Sequence, residues 1–274
     1  MTASTAPERV TIATRIVPAV LFDVRRPQRL VERSLVVTRR GWMMVVSGFF
    51  EPLFYLLSIR VGLSALVGDV DVGGELVPYD EFVAPGLMAA SAMNGAVFDS
   101  TMNVFHKWKH ARLYDSLLAT PMSAGDIAVG EVTWAVMRGL LYSSAFLVTM
   151  LVLGMVGSPW MVLSIGACVL IGFAFAAVGM ACTTFARSWA DFDYLPAVTL
   201  PLFLFSATFY PLSSYGDWSW IVQFSPLYHG VALIRAANVG DFSPSILVNI
   251  AVLVGLAGVG TIVTARRIEK LLLT

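Results

Sequence analysis

Long apolar runs separated by short polar stretches set the plan of this chain. Six of them come close to the about 20 residues a helix needs to cross a hydrocarbon core. They lie at about 42–67, 82–105, 132–156, 160–185, 194–212 and 246–264. The pattern predicts an all-α integral membrane protein with six transmembrane helices. The fifth run carries Pro196, Pro201 and Pro211. A further stretch at about 217–238 is interrupted by Pro226, His229 and Arg235 and reads as a re-entrant or interfacial helical segment rather than a span. The chain thus divides into an N-terminal region, 1–41, and a membrane domain, 42–274.

The first 41 residues hold no span but do carry a pattern. Ile12, Ile16, Val17, Val20, Leu21 and Val24 recur at helical spacing, and Arg15, Arg25, Arg26, Arg29 and Arg33 supply a basic face. This is the composition of a helix lying in the headgroup layer, with Pro18 and Pro27 expected to break it into pieces. A basic tail without fixed structure is the plainer reading. The same stretch holds eight arginines and no unbroken apolar core before Trp42, so it is not expected to act as a secretory signal.

Charge placement orients the spans. Lys and Arg number eight in 1–41, three in 106–131 (Lys107, Lys109, Arg112), one in 186–193 (Arg187) and three in 265–274. The intervening loops hold one, Arg235, and Arg60 and Arg138 fall inside predicted spans. Fifteen against one is a strong positive-inside signal, which puts both termini in the cytoplasm of a multi-pass protein of the plasma (inner) membrane. Composition agrees: 57% of the 274 residues are hydrophobic and 13% charged. Soluble domains have about 45–50% and about 25%. A soluble enzyme, a disordered protein and a nucleic-acid binder driven by basic charge are all excluded, and no nucleic-acid partner is expected. Cys168 and Cys182 share one apolar stretch; on one helix they stand about 21 Å apart, too far for a disulfide.

Ionisable residues inside spans are costly and are the first functional candidates. Glu51, Asp99 and Arg138 come from three different spans, all in the cytoplasmic half of the bilayer. A cross-helix ion pair or triad is the simplest way to keep them there. Such a polar cluster can fix helix packing or line a conduit, and a proton relay is the weaker alternative. Arg60 is out of phase with Glu51 on their shared helix and is expected to reach outward. His106 and His110 stand at i, i+4 beside Lys107 and Lys109, which suits a solvated cationic helix face better than a metal site. His229 suits a capping or packing role. None of the three lysines follows the glycines of a phosphate-binding loop, so this chain is not expected to hydrolyse ATP. No metal spacing and no nucleophile elbow occur either. Between the second and third spans, Leu113, Leu117 and Leu118 recur at helical spacing, Pro121 ends that helix, and Ser123 or Asp126 can cap the next. Such a short cytoplasmic helix is either an interfacial anchor or a docking element.

Several segments bring a family resemblance. The run Tyr114-Asp115-Ser116-Leu117-Leu118-Ala119-Thr120-Pro121-Met122 resembles the cytoplasmic loop of type-2 ABC exporter permeases. Glu51-Pro52-Leu53-Phe54-Tyr55-Leu56 and Phe82-Val83-Ala84-Pro85-Gly86-Leu87 are similar to the family's first two spans. The segment 201–212, followed by Ser225-Pro226-Leu227-Tyr228-His229-Gly230, is similar to its fifth span and the re-entrant segment after it. The resemblance runs from about residue 29 to the C-terminus and is strongest to the nodulation-factor and daunorubicin branch.

The resemblance implies a dimer of six-span permease halves, identical or not, each engaging a P-loop ATP-binding subunit, two per complex. This chain would bind no cofactor; ATP and Mg would sit on the partner. Leu113, Tyr114, Asp115, Leu117, Leu118, Thr120 and Pro121 match the ATPase-coupling helix. Arg25, Arg26, Arg29 and Arg33 fall in the interfacial helix, which borders the same ATPase and membrane lipids. Pro226, Tyr228, His229 and Arg235 fall in the external re-entrant segment that helps close the outer gate. The cargo would be amphiphilic: a drug or antibiotic, a glycolipid or a lipid-linked saccharide. An ion-coupled secondary carrier, or a membrane assembly subunit that moves nothing, are the readings from other classes.

Overall fold

The computed structural model describes residues 25–40, 43, 50, 53–72 and 74–272. Among these the chain is almost entirely helical. In order they form α1 (Arg25–Arg40), α2 (Leu53–Val67), a hairpin of β1 (Asp69–Val72) and β2 (Glu75–Pro78), α3 (Tyr79–Phe98) and α4 (Leu113–Leu118). There follow α5 (Ala124–Val152), α6 (Ser164–Thr183), α7 (Tyr194–Leu204), α8 (Ser219–Phe224), α9 (Pro226–Val239) and α10 (Ser245–Leu272).

Three helical segments among the described residues are long and apolar enough to cross a membrane: Ala124–Val152, Pro159–Thr183 and Ser245–Ile268. Leu53–Val67 is a shorter apolar helix. Helix α3 continues past Phe98 through π-helical turns at Asp99–Asn103 and His106–His110. Its mix of glycine, serine, asparagine and proline lowers its hydropathy, yet it is the most enclosed element, with an unbroken buried run from Phe82 to Met93.

Helix α6 lies at the centre, packed against α3, α5, α9 and α10. It can do so because its sequence is rich in glycine and alanine, which let backbones approach closely in a membrane. A Cβ on Gly260 of α10 would meet the α6 backbone at Ala177 at 2.7 Å, and one on Gly139 of α5 would meet the Ala92 carbonyl of α3 at 2.9 Å. Those two contacts fix the crossings. A larger apolar cluster around Met88, Phe146, Ile171, Leu227 and Leu253 fills the body. A smaller one joins Leu30, Val104, Tyr114, Ile127, Met180 and Ile268, so it gathers α1, α4 and the ends of four long helical segments.

Several expectations change in detail. Among the described residues, Pro27 lies within the helix Arg25–Arg40 rather than between two pieces of it, while Pro18 lies outside the described residues. The pattern of residues 12–24 lies outside the described residues, as does most of the first span before Leu53. Helix α5 starts eight residues ahead of the expected 132, behind a Ser123–Asp126 capping box. The fifth run is helical only from Tyr194 to Leu204, about 16 Å, after which the backbone unwinds and Ala207 takes φ +56°. Residues 217–238 do form a broken pair, α8 and α9, with Pro226 at the first turn of α9. The loop after the first predicted span, which carries Asp69, Asp71 and Glu75, contains the β1–β2 hairpin, with Val70 opposite Val77.

Candidate transport path and coupling elements

The buried charges meet where α3 bulges. The π-helical turn at Asp99–Asn103 presents Asp99 to α5, and Arg138 Nη1 donates to its Oδ1 at 2.8 Å. The pair is nearly closed off, with side chains 8% and 1% exposed. Each helix adds a second polar group one turn away. Asn103 Nδ2 donates to the same Asp99 oxygen at 2.9 Å, and Arg138 Nε donates to the Tyr142 hydroxyl at 3.0 Å. The rings of Phe98 and Tyr142 stand 5.9 and 5.7 Å from the guanidinium carbon. Glu51, the third member expected here, lies outside the described residues. Asn103 and Tyr142 were not singled out in the sequence, although both stand at i+4 from a charged residue, a spacing that marks neighbours on one helix face.

Arg138 and Tyr142 also face a cleft of about 640 Å³ between α2, α3, α5 and α7. Its lining joins the rings of Tyr55, Phe98 and Phe203 to the polar groups of Asn94, Thr199 and Arg138. That volume is in the range of small-molecule sites, and the lining is mostly apolar with a few placed hydrogen-bonding groups.

On the side of the short loops, α4 stands between the end of α3 and the start of α5. Tyr114 is fully enclosed, while Leu113, Leu117 and Leu118 are half-buried against the smaller cluster. The face of residues 113–121 left open is Asp115, Ser116, Ala119, Thr120 and Pro121. A left-handed Arg112 (φ 45°) makes the sharp entry into α4. Lys107 Nζ donates to Glu131 Oε2 at 2.7 Å, an ion pair not expected from the sequence because each member lies at the edge of an apolar run. Burial pushes the Tyr114 hydroxyl well above the ordinary tyrosine range, and the Glu131 carboxylate pushes it the same way. It therefore stays a proton donor. His106 and His110 form no metal cluster among the described residues; their rings stack at 5.8 Å, and Trp189 Nε1 donates to His110 Nε2 at 2.9 Å.

Helix α1 lies on α5, with Pro27, Leu30 and Ser34 turned inward. Gly130 of α5 makes room for it: a Cβ there would stand 3.1 Å from Leu30 Cβ and 3.2 Å from the Pro27 carbonyl. Arg29 and Arg33 are exposed, and Arg29 meets Glu32 at 3.6 Å. The side chains of Arg25 and Arg26 lie outside the described set.

At the opposite end, Arg235 of α9 reaches the unwound backbone after α7. Its Nη2 donates to the carbonyls of Ala207 at 2.7 Å and Phe82 at 3.2 Å, and its guanidinium lies over the Phe82 ring at 4.0 Å. Non-helical backbone at membrane depth needs such partners. His229 Nε2 faces the Gln223 carbonyl at 2.9 Å, capping α8, and its Nδ1 meets Asn249 of α10 at 2.7 Å. Pro226 and Tyr228 are half-buried on the same turn. Arg60 reaches the Leu153 carbonyl at 2.7 Å and so caps α5.

A family model described as ABC-2 type transporter matches residues 28–238. The chain belongs to the ABC-2 type transporter family. It is a multi-pass membrane permease subunit with no catalysis of its own, and the family implies a partnering ATP-binding subunit on which ATP is hydrolysed. The permease is similar to several proteins called Nodulation protein J. That of Sinorhizobium fredii is 30% identical over 213 residues, 74% of this chain and 80% of the relative. That of Rhizobium leguminosarum bv. trifolii is 32% identical over 192 residues, 69% and 72%. That of Rhizobium leguminosarum bv. viciae is 29% identical over 231 residues, 80% and 87%.

Proposed function

We propose that this permease is one six-span half of an exporter that moves an amphiphilic substrate outward across the plasma membrane. The observation that carries the reading is the cleft beside Arg138, in which aromatic rings and hydrogen-bonding groups line one space. An apolar part of a cargo would lie along Tyr55, Phe98 and Phe203, and a polar part would meet Asn94, Thr199 and the free edge of Arg138. The distribution of lysine and arginine supports a cytoplasmic placement of both termini. Residues 1–41 then form a cytoplasmic region and 42–274 the permease domain. The short α7 and its unwound continuation complete the fifth crossing.

Energy enters through α4. Its open face, Asp115, Ser116, Ala119, Thr120 and Pro121, is the docking surface for the ATP-binding subunit, and Tyr114, Leu117 and Leu118 anchor it from behind. Helix α1, with Arg29 and Arg33 exposed, lies beside it at the headgroup layer. Pro226, Tyr228, His229 and Arg235 shape the outer gate, where Arg235 of α9 holds the unwound backbone after α7. A second half, identical or related, closes the path.

The test begins with the tagged full-length chain drawn from its native membrane in mild detergent. An ATP-binding subunit should come with it at equal copy number. ATP hydrolysis by the reconstituted complex should rise with some members of a panel of glycolipids, lipid-linked saccharides and hydrophobic antibiotics. Absence of the ATP-binding subunit, or transport driven by a proton gradient without ATP, would sink the proposal.

A further inference from the structure

Two buried ion pairs clip α3 to α5, and they run in opposite senses. In the pair beside the cleft the acid is on α3 and the base on α5: Asp99 with Arg138, 2.8 Å. In the pair beside α4 the base is on the α3 extension and the acid on α5: Lys107 with Glu131, 2.7 Å. Glu131 is 1% exposed and Lys107 14%. Eight residues separate the two rungs on α3 and seven on α5, about 10–12 Å of helix. The helices run antiparallel, so the rungs form a ladder with crossed polarity. Sliding by one rung would set Asp99 against Glu131 in one direction and Lys107 against Arg138 in the other. Like charges at that depth oppose either slip. Gly139 and Gly95 press the same two helices together beside the cleft. Helices α3 and α5 are therefore a single stiff body.

The lower rung also touches α4. Glu131 Oε1 and the Tyr114 hydroxyl are both buried, and neither has a well-formed hydrogen bond to any other described group. Each is close enough to feel the other, and Arg33 of α1 acts on the same tyrosine. A hydrogen bond donated by the tyrosine hydroxyl to that carboxylate would satisfy both atoms at once.

We propose that Tyr114, Glu131 and Lys107 are positioning residues that carry the displacement of α4 into the α3–α5 body, whose far rung moves Arg138 at the cleft wall. This rests on the exporter reading above. The lower rung is the input of the lever and the upper rung its output. No group in it touches nucleotide or cargo.

The experiment uses the complex of this chain with its ATP-binding subunit in liposomes. Cys168 and Cys182 are replaced by alanine, and Thr199→Cys on α7 reports cleft access by its rate of maleimide labelling. Between the nucleotide-free and the ATP–vanadate states that rate should change by about fivefold, the size of an ordinary coupling between sites. Glu131→Gln should keep the ATP-binding subunit bound yet bring the ratio close to one. Tyr114→Phe, which removes only the hydroxyl, should lower it part-way. The exchange Lys107→Glu with Glu131→Lys should restore at least half of it, which a merely structural loss would not allow. A full ratio in Glu131→Gln overturns the inference. So does loss of the ATP-binding subunit, which would make the site a dock, and so does failure of the exchange to rescue. Should Glu131→Gln not accumulate, Tyr114→Phe and the exchange decide. An unchanging rate in the parent complex overturns the exporter reading itself, a result distinguishable from all of these.

Discussion

Arg138 holds Asp99 at 2.8 Å and Tyr142 at 3.0 Å while an edge of its guanidinium faces the cleft, so replacing it changes two things at once. Arg138→Ala strands a buried carboxylate, and breaking a buried pair in this way costs about 3–5 kcal/mol. The expected outcome is a marked fall in the melting temperature of the detergent-solubilised chain. Arg138→Ala with Asp99→Ala should recover most of it, because the orphan charge is gone. A single variant with normal abundance and melting would contradict the burial argument. A different carboxylate gives a pH prediction. Asp191 is fully exposed, but the backbone N–H groups of Arg187 and Ser188 hold its carboxyl below the usual aspartate range. A lowered folded-state value means the turn before α7 is stabilised above the ordinary value of about 3.9 and loses that support as pH falls through the lowered one. Hydrogen exchange at Ser188 should speed up below that window in the parent chain and be fast at every pH in Asp191→Asn.

Among the elements, the seam between α3 and α5 is the tightest. Gly139→Val would press a branched side chain on the Ala92 carbonyl, which a Cβ alone meets at 2.9 Å. Overpacking of this kind costs about 1–3 kcal/mol, and by parting the helices it should also loosen the Asp99–Arg138 pair. A cross-link between cysteines placed at 96 and 135 should then form more slowly than in the parent; an unchanged rate would show that the seam can yield elsewhere. The same seam explains which parts of the site were legible in the sequence. Asp99 and Arg138 stood out because charge in an apolar run is costly wherever it falls. The short helix α4 was legible from Leu113, Leu117 and Leu118, although their half-burial leaves the open face to Asp115, Ser116, Ala119 and Thr120. Lys107 and Glu131 were not legible, since each lies at the edge of an apolar run, where charge is ordinary. The early end of α7 was hidden because its apolar residues continue past Leu204 without helical backbone, held instead by Arg235 from a distant helix. The β1–β2 hairpin had a signal in Gly73-Gly74 between alternating residues, masked by the long apolar runs on either side of it.

For the whole molecule, the crossed ladder has an electrical consequence. Each rung is a neutral pair, and the two dipoles point oppositely across the seam. When the two rungs shift together they carry no net charge through the transmembrane field. One elementary charge moved across the field gains or loses about 2.3 kcal/mol per 100 mV, so a lever with a single unpaired arginine would be slowed or driven by voltage. This one is blind to it. ATP hydrolysis by the reconstituted complex should be the same with and without a potassium diffusion potential of either sign. In Asp99→Asn, where Arg138 is left as a moving charge, it should become asymmetric. A permease built this way would work at the same pace in a resting cell and in an energised one, drawing only on the nucleotide.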